Sequence, residues 1–443
     1  MSPLEVPLSR PYPPAAGERD RPPGRPRAGP QAQGRRRRLL YCARRILHGR
    51  IRSHGWFHSL GAVFTIAVRA GELDNRPMHW NASLIRFLFG FVSFVTLSAG
   101  AAAPALVDDH EITLRSSRAI EARRKSLIQF IWGSDGFPHR RQPDLVLTNI
   151  THPVHHLTSL ERVDELRINL SPGLEGLVYH FIPSHPNGEL VVVHHGHACS
   201  LDDDPTPSES GFGLQRTIHA LLREGFGVLG VFMPRMRPGD CTGGHDKLFE
   251  IPTTGSGLRY FLEPTAIGLN HVRSQNRSSR IPRYRDFHMI GFSGGGWTTT
   301  IYAAIDPTIK QSFPVAGTIP LYLRSGGSVG DLEQFLPAFY QLAGYPDLYI
   351  LGAHGRSRSQ VQILVRRDDC CFGEAQHDKN RTGLPYKEAM LAYEQRVQAA
   401  LKSAGCGAFW VEIDESAPSH MISPQTIDHI ILPQLKALRG KYK

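Results

Sequence analysis

Ser293 lies between glycines two positions before and two after it, in the stretch Gly291-Phe292-Ser293-Gly294-Gly295. A serine hydroxyl is a poor nucleophile unless something holds it exposed beside a base. A sharp strand-to-helix turn does that, and glycines at those two positions let the backbones pass without Cβ clashes. The surrounding residues 287–297 read as a short buried strand, that turn, and the start of a helix. In a chain with 43 glycines the pentapeptide alone is a weak signal, so the neighbouring chemistry must carry the case. A serine here could also simply cap the following helix, but capping needs no glycine frame.

Acyl transfer needs a nucleophile, a base, a group that orients the base, and two donors for the developing oxyanion. The expected base is His420, on the loop between the final strand and the final helix, where an imidazole can swing toward Ser293. His429, inside that helix, reads as a packing or surface residue. The acid is expected on the loop after the preceding strand, where Asp368 is the first choice and Asp369 the reserve. The carboxylate left over would cap the loop or pair with Arg366 or Arg367. A buried carboxylate beside the imidazole fixes its tautomer and stabilises its cation. The backbone N–H of Gly294 is one expected oxyanion donor and that of His197, in His194-His195-Gly196-His197, the other. Alternate histidines at a strand end can bind zinc, but no Asp or Glu adjoins these, so no metal is expected.

The elements that must position these groups alternate between strand and helix. Strands are expected at 166–170, 176–183, 189–194, 226–233, 287–292, 311–319, 360–366 and 408–413. Helices fit 213–224, 257–273, 296–304, 385–402 and 424–438. Strands separated by helices of this length imply parallel pairing with right-handed crossovers, hence a three-layer α/β domain. Two long connections, 235–286 and 320–359, are expected to form lids or substrate walls above the carboxyl ends of the strands.

The order Ser293, Asp368, His420, with the His-Gly loop about 100 residues upstream of the serine, resembles the α/β-hydrolase superfamily and its serine esterase-like branch. The resemblance covers about residues 160 to 440. It implies a mostly parallel, roughly eight-stranded sheet, a Ser-His-acid triad and no cofactor. His195-Gly196-His197 departs from the His-Gly-Gly-Gly form of many lipases and esterases, which weakens the case for bulky, lipase-like substrates and tertiary alcohol esters.

The net charge of +11 suggests a nucleic-acid binder until it is located. Residues 1–77 hold 15 arginines against 5 acidic residues, so ten of the eleven charges sit there and the remainder is near neutral. Nucleic acid is therefore not an expected partner of the folded part. That Arg/Pro-rich stretch is expected to be a disordered extension or the product of a start codon assigned too early. From Met78 the chain has a lightly positive lead, an apolar core at 87–97 and a small-residue exit at Ala99-Gly100-Ala101. These are the parts of a signal peptide, expected over 78–101 with translation starting at Met78. The competing reading is a membrane anchor, since 87–107 carries no charge. A lead-in at 102–159 and a catalytic domain at 160–443 complete the expected organisation.

Of six cysteines, five lie beyond that segment, an odd number, with Cys199 and Cys241 a plausible bridge in an oxidising compartment. The expected protein is a secreted or periplasmic serine hydrolase that cleaves a small-molecule carboxylic ester through an acyl-enzyme. Membrane contact is expected only if 87–107 is retained. A peptidase or amidase of the same fold is the alternative enzyme, though such enzymes usually carry a propeller or large cap for which 102–159 is too short. A catalytically silent binding protein is the alternative from another class; it has no need of all three side chains.

Overall fold

The run Leu190-Val191-Val192-Val193 contains no polar residue because both of its faces are covered. In the computed structural model it forms β4 (Glu189–His194): Leu190 and Val192 join one hydrophobic layer, Val191 and Val193 the other. That division follows from the two-residue period of a strand buried on both sides. The structure describes residues 106–151, 159–197, 212–236, 245–275, 281–324, 330–377 and 382–439, all within one compact unit, Gly71–Lys443. The Arg-rich extension, the signal segment and the Cys199–Cys241 pairing fall outside these residues.

The remaining strands are β1 (Leu145–Leu147), β2 (Leu160–Ser171), β3 (Leu174–Pro183), β5 (Gly227–Val231), β6 (Arg235–Met236), β7 (Asp286–Phe292), β8 (Ile309–Val315), β9 (Ser359–Val365) and β10 (Ala408–Asp414). They build one ten-stranded sheet in the order β1-β2-β3-β5-β4-β7-β8-β9-β10, with β6 paired to β3. Every pairing from β5 through β10 is parallel, while β1, β2, β3 and β6 pair antiparallel. The two strands beyond the expected eight are β1 and β6, three and two residues long. Segments that short carry no periodic signal.

Seven longer helices cover the sheet: α1 (Ser117–Trp132), α2 (Leu214–Arg223), α3 (Leu258–Gln275), α4 (Gly294–Ile305), α5 (Tyr345–Ala353), α6 (Tyr386–Ala404) and α7 (Leu432–Arg439). Side chains of α2 and α7 join one hydrophobic layer, and those of α1, α3, α4, α5 and α6 the other. The chain is thus a three-layer α/β structure. One turn of π-helix, Thr426–Ile431, precedes α7 where a single continuous helix was expected. Among the described residues no helix is long and apolar enough to cross a membrane.

The two long connections each contribute a buried helix. The connection 235–286 contains α3, buried along nearly its whole length. The connection 320–359 contains α5, and every residue of that helix is buried. Both helices thus supply part of the core layer. Within the expected lead-in, α1 buries Ile120, Leu127, Ile131 and Trp132. Ahead of it, Asp109 accepts backbone N–H groups of Leu321, Tyr322 and Tyr345, and Asp347 accepts those of Thr113 and Leu114. The chain ahead of β1 is therefore stitched to the segment that follows β8.

Helix α4 begins directly after Ser293, and all of its residues are buried. Its far end is held by two buried cations. Arg358 Nη2 donates to Ala303 O at 2.7 Å and Arg124 Nε to Ala304 O at 2.9 Å. Cations at a helix C-terminus satisfy carbonyls that have no partner within the helix and oppose the end of its dipole.

Candidate active site

The parallel register between β4 and β7 pairs His194 with Gly291, which brings the residues two further on, Gly196 and Ser293, side by side. From β4 the chain crosses to β5 on one side, and the sheet continues through β7 on the other. Such a switch point opens a crevice at the carboxyl ends of the strands, where open α/β sheets bind ligands.

Ser293 has φ 56° and ψ −124°, a left-handed backbone that non-glycine residues adopt at a cost of about 1–3 kcal/mol. The turn is over-determined by its surroundings. The Ser293 N–H donates to Val315 O at 2.9 Å, and Ser293 O accepts from Gly296 and Trp297 at 2.9 and 3.1 Å. A Cβ on Gly291 would lie 2.0 Å from Gly295 O, and one on Gly196 would lie 2.8 Å from Ser293 Cβ. The glycine frame is thus a steric requirement. Although Ser293 stands at the N-cap position of α4, its side chain makes no capping bond. The capping role is excluded, and the hydroxyl is left free.

Asp368 follows β9 and is nearly fully buried. Its Oδ1 accepts the backbone N–H groups of Cys370 and Cys371 at 2.9 and 3.0 Å and lies 2.9 Å from His420 Nδ1. A buried carboxylate accepts, so Nδ1 carries the proton and Nε2 is left with its lone pair. Nε2 is buried and has no hydrogen-bond partner. Asp369 takes a different part: its Oδ1 accepts the backbone N–H of His420 at 3.2 Å. One aspartate thus orients the ring and its neighbour holds the main chain behind it. Arg366 pairs with Glu374 and Glu415, and Arg367 donates to the carbonyls of Glu415 and Ser416, so neither arginine claims the aspartates. Ser293 and His420 are not hydrogen-bonded to each other. The Phe292 ring, one residue before the serine, packs 4.5 Å from the imidazole. Catalytic hydrogen bonds often tighten only when substrate is bound.

Asp414 was not among the expected site residues. It ends β10, and its carboxylate accepts from Ser416 N, Ser416 Oγ, Ala417 N, Ser423 Oγ and Thr426 Oγ1. These donors flank His420 on both sides, so Asp414 fixes the two ends of the loop that carries it. Burial opposes the Asp414 charge, but the three hydroxyls outweigh it and hold the carboxyl below the usual range. The available signal was an aspartate at a strand end with Ser and Thr two, nine and twelve residues on.

The three histidines after β4 separate. His194 is buried, which pushes its imidazole down to about 4, and its Nδ1 lies 2.7 Å from His195 O. His195 stacks on Phe232. His197 points outward, its Nε2 3.0 Å from Asp331 Oδ2. Gly294, the first residue of α4, presents an N–H that has no intrahelical partner. Trp297 faces the core, where its Nε1 donates to Tyr340 Oη at 2.8 Å. None of the described cysteines is free: Cys370 and Cys371 are joined, and Cys406 is also disulfide-bonded.

The strand order, the strained turn after β7 and the sequence Ser293, Asp368, His420 along the chain are the architecture of the α/β-hydrolase fold. The chain matches no protein-family model and no curated protein sequence. Similar solved structures include a methylesterase, at 14% identity and a TM-score of 0.43, over 73% of this chain and 63% of that one. Acetyl xylan esterase 1 from Thermoanaerobacterium sp. is similar at 11% identity and a TM-score of 0.43, covering 73% and 95% of the two chains. An S-formylglutathione hydrolase from Agrobacterium tumefaciens is similar at 14% identity and a TM-score of 0.41, covering 65% and 98%.

Proposed function

We propose that this chain is a serine hydrolase that cleaves carboxylic esters of small molecules. The observation that carries the proposal is the strained turn holding an uncapped Ser293, served by a strand-end loop whose His420 is already oriented by Asp368. His420 Nε2 takes the proton of Ser293 as Oγ adds to the ester carbonyl. The oxyanion is held by the N–H groups of Gly294 and His197. Collapse of the tetrahedral intermediate expels the alcohol with the proton from His420 and leaves the acyl group on Oγ. Water, deprotonated by the same imidazole, then adds to the acyl carbon and frees the acid. Each oxyanion donor is worth about 3 kcal/mol, or on the order of a hundredfold to a thousandfold in rate.

Ser293→Ala tests the nucleophile. The variant is expected to keep the wild-type circular dichroism spectrum, to lose hydrolysis of a short-chain nitrophenyl ester, and to escape labelling by a fluorophosphonate. Retained hydrolysis or labelling would place the nucleophile elsewhere. Export is part of the same proposal: the mature protein is expected to begin after Ala101 in the secreted or periplasmic fraction. N-terminal sequencing that returns Met1 from the cytoplasmic fraction would refute it.

A further inference from the structure

A second cluster of chemically active side chains lies outside the proposed triad. His197 follows β4, His245 precedes the short helix Asp246–Glu250, and Asp331 and Glu333 lie on the turn ahead of Pro337–Tyr340. Asp331 Oδ2 lies 3.0 Å from His197 Nε2 and 3.5 Å from His245 Nδ1, and the ligand-type atoms of these three residues lie within 4.8 Å of one another. Zinc bonds of about 2.0–2.1 Å in a tetrahedral shell put neighbouring ligand atoms roughly 3.3 Å apart. The two contacts to Asp331 fall on either side of that value. The imidazoles of His197 and His245 stack with an interplanar angle of 4° and centroids 5.1 Å apart, and each directs a nitrogen at Asp331 Oδ2.

Glu333 supplies an independent sign. It has no exposed surface, its Oε1 lies 2.8 Å from His245 Nδ1, and its Oε2 is buried with no hydrogen-bond partner. A buried carboxylate oxygen without a partner is costly unless a cation offsets it. The Glu333 and Asp331 carboxylates together match the charge of one divalent ion. The turn is also held rigid. Trp297 Nε1 donates to Tyr340 Oη, Tyr340 Oη to Glu333 O, and Tyr345 Oη to Gln334 O, while the Phe261 ring packs on both His245 and Trp297.

We propose that His197 Nε2, His245 Nδ1 and the carboxylates of Asp331 and the buried Glu333 bind a zinc-class divalent cation, the metal replacing the proton that His245 Nδ1 shares with Glu333 Oε1. Two nitrogens with carboxylate oxygen favour zinc or a similar first-row ion over calcium or magnesium, which take oxygen shells. The ion would pin the His-Gly loop to the turn at 331–334, a positioning role that needs no part in bond cleavage.

The full chain, stripped by chelation and dialysed, is titrated with Zn²⁺ alone in a calorimeter, with fluorophosphonate labelling of the same samples alongside. The expected result is one saturable equivalent. Asp331→Asn, at a half-exposed position, should weaken it by on the order of 100-fold or more. Glu333→Gln, with wild-type shape, should weaken it by roughly 10–100-fold. A lack of saturable binding overturns the proposal, as does affinity unchanged in both variants. Binding lost in His420→Gln but kept in Asp331→Asn also overturns it, since the ion would then sit beside Asp368. Labelling without metal binding would leave the ester-cleaving reading standing and the metal reading refuted; binding without labelling would do the reverse.

Discussion

Gly196 has room for a hydrogen and nothing larger. A methyl group there would meet Ser293 Cβ at 2.8 Å and Phe292 O at 3.0 Å, so Gly196→Ala must push the His-Gly loop away from the serine turn. A misplacement of about 1 Å costs on the order of 100-fold in rate. The expected outcome is a fall in kcat of that size, with the unfolding midpoint little changed; unaltered turnover would mean the loop takes no part in the reaction. Gly291→Ala should do worse, because its methyl would sit 2.0 Å from a backbone oxygen inside the turn. Overpacking of this kind costs about 1–3 kcal/mol and often more, and the variant should express as largely insoluble protein. At this scale the sequence was informative. Ser293, Asp368 and His420 sit where strands stop, and glycine or a polar run marks each stop. Asp414 was harder to see, because its role depends on hydroxyls up to twelve residues away folding back onto it.

At the scale of elements, the loop from β10 to the final helix matters most. Asp414→Asn removes the charge from bonds to three hydroxyls and two amides, and hydrogen bonds to an ionised group are worth about 1.5–3 kcal/mol. Urea unfolding should report a loss of about that size, and under the proposed mechanism kcat should fall more than KM changes, since the variant loosens the loop that carries His420. The folded carboxyl is held below its ordinary range, so its contribution is present above the unfolded carboxylate pKa and disappears as pH falls through the lower folded value. Two helices escaped notice for opposite reasons. In α1 the buried stripe Ile120, Arg124, Leu127, Ile131 is interrupted by an arginine whose guanidinium turns inward to bind carbonyls. In α5 every residue is buried, so no polar face exists to reveal a period.

For the molecule as a whole, acid sensitivity follows from its buried histidines. Burial drives His180 down to about 3 and His194 to about 4, and it lowers His271 as well. Each is neutral when folded but protonates near 6.5 when unfolded, so the unfolded chain binds more protons between those values. Their stabilising effect is complete above about 6.5 and is lost as pH falls toward 4. His245 opposes this: its raised pKa gives a contribution present below 6.5 and lost as pH rises through the folded value. His354 is lowered by burial too, and four lowered histidines against one raised predict a thermal midpoint that drops steadily from pH 6.5 to 4, read by scanning calorimetry; a flat profile would contradict the burial of these rings. The centre of the sheet was legible because β4 and β5, covered on both faces, leave nearly unbroken apolar runs, whereas β7, β8 and β9 bury His288, Gln311 and Gln360 within theirs.

The helix that starts at the serine is fastened at its distant end by Arg124 and Arg358, and every residue between is enclosed. Deuterium should therefore enter the amides of 297–304 only when the entire protein opens, while those of 415–423 exchange through local breathing. Under the proposed mechanism, any accommodation to acyl groups of different size would then come from the His420 side of the crevice, with Ser293 acting as the fixed jaw.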